Sequence, residues 1–541
     1  MRSLIQPTRA MGYSDLYLDF LCGRAPARDF YRVTNLSDAA ANLDAVDFPR
    51  GAMASILRSQ NVTYGADEQA LANIDALESD PRSVCVFTGQ QAVLFGGPML
   101  VMHKALGIAK AARLYSKQLR RTVIPVFWIA ADDHDFEEAN HTWLLDRQTQ
   151  PVRLAYQAPP DKEVSTSQIF FDNKDELQRV KTLLSDTLGQ TDFTPDLHDL
   201  IEQAYTSEDS FASAFGKLMA ALTRNTGLVL FSPGDREVKR LAVPFFTRLV
   251  EAQEELHTRL TRSNNAIVEA GYHLQVEKSD DSAHLFCNCD GRSPVKRING
   301  SFRVGDLTLT EAELLDKIET EPWLFSPDVI TRPILQSWLF PVLSQKGGPA
   351  EIAYLAQNND IFSLFDRMPP HYMARPSVTV MEGRIARLVH DHHIMFRELT
   401  GDIEQIVNRV LMQTFPGDIE KGLALLRQDI SFHLDKFATE SLPFDKGLQG
   451  FADQTSGKID YLLGQFEHKV FAAHKKKSND TRERIYRVAN ALYTNRGLQE
   501  RSLNVAYFIS RYGPDFLSYL YRETESEEKS HQLLDMTGYA S

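Results

Sequence analysis

Cysteine is scarce in this chain: Cys22, Cys85, Cys287 and Cys289 are the four among 541 residues. So few thiols exclude a disulfide framework and agree with a reducing cytosol. Long apolar runs are missing as well. No stretch approaches the ~20 residues needed to cross a bilayer, and Met1 to Leu21 lacks the apolar core of a secretory signal. A cytoplasmic protein without a membrane partner is the expectation. Nor is there a basic excess: 59 Lys and Arg stand against 72 Asp and Glu, a net charge of −13. That argues against a general nucleic-acid binder, which needs a basic footprint. The two best-known glycine-rich phosphate signatures, Gly-x-x-x-x-Gly-Lys-Ser/Thr and Gly-x-Gly-x-x-Gly, do not occur. A bound nucleotide would need another geometry. Solenoid repeats and low-complexity linkers are absent too.

What the chain does have is a large apolar fraction, 43%, with 10% aromatics, enough for a sizeable core and several domains. Two segments stand out. Val84 to Phe87 is a short apolar run that leads into Thr88-Gly89-Gln90-Gln91 and then Phe95-Gly96-Gly97-Pro98. Val123 to Ile129 is a second run, leading into Asp132-Asp133-His134-Asp135-Phe136-Glu137-Glu138. Short apolar runs that end in glycine or acid read as buried strands of a parallel sheet. Between them, Met99 to Leu114 has helical spacing, with Pro98 at the first helical position. The unit is strand, polar loop, helix, strand, polar loop. In open α/β sheets ligands bind beyond the carboxyl ends of strands, so both loops are expected side by side at one rim.

Further along, Gly227 to Phe231 reads as another buried strand, ending in Ser232-Pro233-Gly234-Asp235, and Arg236 to about Ala270 as one long helix. Ser37 is a candidate N-cap in a mostly helical N-terminal region. Short runs around Asp290-Gly291 and Asn299-Gly300 predict hairpins of a small antiparallel insertion, closed by a capping box at Thr310 to Glu313. From Gly383 the period becomes seven. Val389, Phe396, Ile403 and Val410 form one seam, and Ile385, His392, Leu399 and Ile406 the other. About 28 residues at 1.5 Å rise predict a rod of roughly 40 Å. Two more helices follow, separated by Pro416-Gly417 and Leu442-Pro443. They form either an intrachain bundle or a dimerising coiled coil.

Three other segments complete a pattern: Phe325-Ser326-Pro327-Asp328 through Arg332-Pro333, Gly347-Gly348-Pro349-Ala350-Glu351, and Gly497-Leu498-Gln499-Glu500-Arg501 with Arg511 to Phe516. Taken with the two loops, and in this order over nearly the whole chain, they resemble the bacillithiol biosynthesis cysteine-adding enzymes. Asp132, in place of a glutamate, and Lys346, in place of an aromatic or aliphatic residue, are small departures. The resemblance implies a Rossmann-like parallel sheet core with a small antiparallel β insertion, and a protruding antiparallel α-helical coiled-coil arm that makes a homodimer. Under that reading residues 1–80 are an N-terminal helical segment, and 81–240 and 326–380 the two parts of the core. Residues 241–325 are a connecting helix and the insertion, 381–495 the arm, and 496–541 a C-terminal helical segment packing on the core. It also implies a ligase joining cysteine to glucosaminyl-malate. A free carboxylate is a poor acyl donor, so ATP is implied as activator, through an acyl-adenylate or acyl-phosphate. The need for a metal stays open.

Candidate residues follow from the loops. Thr88, Gln90 and Gln91 offer neutral donors and acceptors, and Gly96 and Gly97 allow close approach before a helix N-terminus that suits an anion. The same glycines serve equally as a simple turn. Asp133, His134 and Asp135 are the candidate catalytic groups, orienting or deprotonating an amine, with Glu138 and His141 beside them. They read alternatively as helix caps, or as a metal cluster. Arg332 and Gln336, one turn apart, and Gly348 and Glu351 of the second Gly-Gly-Pro are further substrate-binding candidates; a buried ion pair is the plain alternative for Arg332. Cys287 and Cys289 are too few to hold a metal on their own. The competing functional readings are a non-catalytic dimeric scaffold built on the arm, and a ligase for another amino sugar.

Overall fold

The computed structural model describes residues 2–413 and 415–539. The chain forms two compact units, Met1–Met381 with Gly497–Ser541, and Glu382–Arg496.

In the first unit the strands are, in chain order, β1 (Arg2–Ile5), β2 (Val84–Gln90), β3 (Val123–Ile129), β4 (His141–Leu145), β5 (Pro151–Ala155) and β6 (Val229–Phe231). They continue with β7 (Ser282–Asn288), β8 (Arg292–Ile298), β9 (Ser301–Val304), β10 (Leu307–Leu309), β11 (Phe325–Pro327), β12 (Val342–Gly347), β13 (His371–Ala374), β14 (Val378–Met381) and β15 (His531–Asp535). The central sheet has the order β13-β12-β2-β3-β6, with every neighbouring pair parallel. Apolar runs explain it. Val84 to Phe87 and all of β3 are buried, as strands covered on both faces must be. The chain runs from β2 outward through β3 to β6, then returns to add β12 and β13 on the other side of β2. Strand order therefore reverses between β2 and β12, and a crevice opens beyond their carboxyl ends.

Helix α1 (Leu100–Leu119) connects β2 to β3 and is buried over most of its length. The short α2 (Phe136–Ala139) follows β3, α3 (Arg332–Leu339) precedes β12, and α4 (Pro349–Leu355) follows it. The insertion is an antiparallel sheet of order β10-β9-β8-β7-β11, and Thr310 with Glu313 forms the expected capping box. β4 and β5 make a hairpin.

Several local expectations are corrected. The N-terminal region is not purely helical: β1 pairs with β15, which pairs with β14, so both chain ends share one sheet. Asn35, not Ser37, is the N-cap, its side chain accepting from Asp38 N. Arg236 to Ala270 is three helices, Arg236–Leu241, Val243–Glu251 and Gln253–Glu269; the first break falls at Ala242, where Pro244 lacks the N–H that one ladder would need. Phe325–Pro327 belongs to the insertion, where it pairs with β7, rather than to the core sheet. Cys287 and Cys289 are joined by a disulfide, a local bridge across one intervening residue.

In the second unit the expected continuous rod is broken. Gly383–Asp391 and Ile403–Gln413 are separate helices, parted by His393 at φ 48° and a 3-10 turn at Phe396–Thr400. The seam residues Ile385, Leu399, Ile406 and Val410 are buried in a short bundle that includes Asn479–Leu492. The break lets both pieces pack on that one helix. Gly417–Ser441 and Leu448–Lys477 then form a long helical hairpin, tied by Arg427 to Asp460 and Glu467. No helix among the described residues is long and apolar enough to cross a membrane.

Candidate active site

The crevice at the reversal of strand order holds a cavity of about 660 Å³. That is the size of a site for a small substrate. Its floor is the end of β2, where Gly89 lies so close to β3 that a side chain there would meet the Trp128 carbonyl at 2.8 Å. Gln90 and Gln91 continue the floor, and Trp128 and Trp143 supply aromatic wall. Gly348, Glu351 and Tyr354, from the end of β12 and from α4, line the same space.

Four cations line this space: Lys104, Arg332, Arg375 and Arg501. Lys104 reaches in from α1. Its Nζ donates to Gly89 O at 2.7 Å and to Gln90 Oε1 at 2.9 Å, and pairs with Glu351 Oε2 at 2.7 Å. Burial lowers its pKa, and Glu351 offsets part of that. Glu351 also accepts from Gly348 N, so one carboxylate fixes both the lysine and the first turn of α4. Arg332 donates to Tyr354 Oη at 2.7 Å and lies over Trp128.

Besides Glu351, Glu138 and His141 also line the cavity. Glu138 is exposed on the wall. His141, at the start of β4, places Nδ1 2.9 Å from Glu137 O and 3.2 Å from Asn140 Oδ1. Both partners are acceptors, so Nδ1 carries the proton. Burial, then the charge of Arg153, lowers the His141 pKa against the opposing effect of the Glu137 carbonyl. The ring is therefore neutral near pH 7, with its lone pair on Nε2.

The acidic loop and the cavity are linked, since Gln91 Nε2 donates to Asp133 Oδ2 at 2.6 Å. The loop's charges, however, are engaged outside the cavity wall. Asp132 pairs with buried Lys239. Asp133 Oδ1 accepts from His134 N, and Asp135 caps α2 through Glu138 N. His134 Nδ1 lies 2.7 Å from Arg292 Nη1 of the insertion, and the Arg292 guanidinium stacks on Phe286 at 3.7 Å. Arginine only donates, so this histidine's lone pair is occupied. Among the described residues no three His, Cys, Asp or Glu side chains are grouped to hold a metal ion.

Other expected site residues sit elsewhere. Thr88 is buried between strands, donating to Lys346 O. Gly96 and Gly97 adopt φ of 81° and 70°, the left-handed turn only glycine takes freely. Asn504 locks that turn from the C-terminal segment, its Nδ2 donating to Phe95 O, Gly97 O and Thr142 Oγ1. Gln336 is buried against Gln345. None of these four lines the cavity, whereas Gln90, Gln91, Glu138, His141, Arg332, Gly348 and Glu351 do.

A family model described as "Bacillithiol biosynthesis BshC, N-terminal Rossmann-like domain" matches residues 4–376, and the family's "C-terminal coiled-coil domain" matches 378–536. The chain belongs to the BshC family. Among its relatives, one from Koribacter versatilis is 32% identical over 93% of this chain and 94% of its own length. One from Salinibacter ruber is 27% identical over 98% and 97%, and one from Geobacillus kaustophilus 27% over 96% and 98%. Each is named "Putative cysteine ligase BshC". The protein is thus a member of an enzyme family of bacillithiol biosynthesis whose curated members are named as ligases.

Within this BshC fold the sequence reading missed Lys104, Arg375 and Tyr354 as wall residues. Lys104 lies among buried Val101, Met102, Ala105, Leu106 and Ile108 of its helix, and Arg375 precedes Pro376. A cation within a buried stretch was the available signal, since an unpaired charge is costly there.

Proposed function

We propose that the protein is a cytoplasmic ligase that forms an amide between the cysteine carboxyl and the amine of glucosaminyl-malate, with ATP as activator. Family membership supports this reading, since the relatives are named as cysteine ligases of bacillithiol biosynthesis. The observation that carries the reading is the cavity itself: a neutral histidine with a fixed tautomer and an exposed glutamate line the same space as four cations. Glu138 suits an incoming ammonium group, and His141 Nε2 takes the proton that the amine must lose before or during attack. Arg332, Arg375 and Arg501 suit carboxylate and phosphate oxygens, while Lys104, its three N–H groups taken by Gly89, Gln90 and Glu351, adds a fixed positive charge to the wall. Those cations fit a nucleotide's phosphates; when bound, ATP would supply the leaving group that a free carboxylate lacks. Asp133, His134 and Asp135 then act on the cavity indirectly, through Gln91 and the position of α2.

The test is direct. Purified protein is incubated with cysteine, glucosaminyl-malate and ATP, and the amide product is sought by mass spectrometry. Product formation is expected. Absence of product, with no thermal protection by ATP, cysteine or amino-sugar conjugates, would favour the scaffold reading. Product only with a different amino sugar would redirect the substrate assignment.

We further propose that the second unit makes the protein a homodimer. Its helical hairpin exposes Phe432, Phe437, Phe444, Phe451, Tyr461, Leu462 and Phe466, with Phe437 72% and Phe451 68% accessible. Monomers rarely leave such a row uncovered. Light scattering should give twice the 61.2 kDa chain mass. Replacing Phe432, Phe437 and Phe451 together by Glu should bring the mass to that of one chain while far-UV helicity is retained. An unchanged mass would remove the hairpin from the interface.

A further inference from the structure

The segment Gly497 to Arg501 has so far contributed one wall residue, Arg501. Its neighbour Glu500 is the more unusual. It is fully buried, with 0% exposure, in the one-turn helix Gln499–Ser502. Its Oε1 pairs with Arg375 Nη2 at 2.8 Å and accepts from Ser377 Oγ at 3.0 Å. Its Oε2 accepts from Val378 N at 2.7 Å. Both oxygens are committed to protein groups, and Glu500 does not line the cavity. Arg375 does, although only 4% of its side chain is accessible. Its Nη1 donates to Pro376 O, and its Nε lies near Gly348, where α4 begins.

Burying an ion pair is a poor route to stability, since an apolar pair of similar volume commonly does as well or better. Stability therefore does not account for a cation in this wall. A guanidinium recognises an oxyanion by a planar fork, and the fork discriminates only when its orientation is fixed. Glu500, with its two other hydrogen bonds, fixes it. The partial charge around Glu500 is held steady as well: His103 and His531 lie close and are pushed down to about 4 by burial, so both are neutral near pH 7.

We infer that Glu500 is a positioning residue, which holds the Arg375 guanidinium at the cavity wall so that Arg375 and Arg501 together grip an oxyanion of the substrate. This rests on the cavity being the substrate site proposed above. The oxyanion is a carboxylate of the malate portion or a phosphate of the nucleotide, and the two are separable by experiment.

Full-length protein is assayed for KM toward glucosaminyl-malate, ATP and cysteine, and for calorimetric binding of L-malate and ATP separately. Glu500→Asp keeps the charge but withdraws it; Glu500→Gln removes it; Arg375→Met with Glu500→Leu removes both charges and leaves neither unpaired. Each is expected to weaken one anionic ligand at least 20-fold, with the KM for cysteine within twofold. A loss confined to malate and glucosaminyl-malate assigns the carboxylate, and one confined to ATP the phosphate. The double swap should melt within a few degrees of the parent yet show the same loss, which a merely structural pair would not. Adding Glu500→Gln to Arg375→Met should cause no further loss. Wild-type affinity for both anions in Glu500→Asp, or in the double swap, overturns the proposal, and these two decide it even where Glu500→Gln does not fold. Arg375-dependent malate binding without any amide product would overturn the ligase reading and leave this inference standing.

Discussion

His141→Ala is expected to lower kcat by about 10²–10⁴, the usual range for loss of a general base, whereas His134→Ala should leave kcat within about tenfold. The two histidines are seven residues apart and both follow β3, yet their chemistry differs. His134 Nδ1 accepts from Arg292, so its basic lone pair is already spent. His141 has its proton on Nδ1, held between Glu137 O and Asn140 Oδ1. It lines the cavity, and its pKa is below the ordinary 6.5. The sign of the pH effect follows. A base works unprotonated, so kcat/KM should rise with pH and level off, with the midpoint of the acid limb below 6.5. In His141→Ala that limb should disappear. Steady-state rates of amide formation between pH 5 and pH 8 measure both. Equal losses in the two variants, or an acid limb that survives in His141→Ala, would return the proton transfer to the Asp-His-Asp loop.

What could be read from the sequence follows the range of the interaction concerned. β2 and β3 are continuous apolar runs, and a strand covered on both faces has no other pattern, so both were visible. The capping box at Thr310 and the hairpins of the insertion are local chemistry and were visible too. The insertion of β12 beside β2 was not. It pairs Cys85 with Val342 across more than 250 residues, and nothing in either segment specifies its neighbour. That pairing creates the cavity. It is why Gln90, Gln91, Gly348 and Glu351, each recognised separately, meet in one place.

The misplaced residues follow the same logic. Thr88 lies before the end of β2, so its side chain is enclosed between strands. Gly96 and Gly97 looked like an anion site because a helix follows them, but that turn is closed by Asn504, some 400 residues later. The seven-residue period from Gly383 is present in the sequence, yet a period says which residues share a face, not that the helix is unbroken. His393, with its left-handed backbone, folds the seam back, and its apolar residues still reach one core.

Lys104→Met carries the second large effect: kcat/KM is expected to fall roughly 10²–10³-fold, the scale set by removing one fixed electrostatic element from a preorganised site. The lysine is 4% accessible and makes three contacts, with Gly89 O, Gln90 Oε1 and Glu351 Oε2. Its charge cannot move to meet a substrate and needs no reorganisation when one arrives. Its removal leaves Glu351 without its cation, which costs about 3 kcal/mol of stability where a buried partner is lost. The two effects separate in the pair Lys104→Met with Glu351→Gln. That variant has no unpaired charge, and the amide oxygen introduced by Glu351→Gln can still accept from Gly348 N, so its melting temperature should recover most of the way to the parent. Its kcat/KM should stay low. Lys104→Arg should not rescue activity either, because a planar fork cannot occupy a socket built around one ammonium group with three acceptors. Recovery of activity together with stability in the double variant would show Lys104 to be a strut of the fold. Persistent inactivity in a stable protein would place its charge in the chemistry, next to the strand ends where β2 and β12 part.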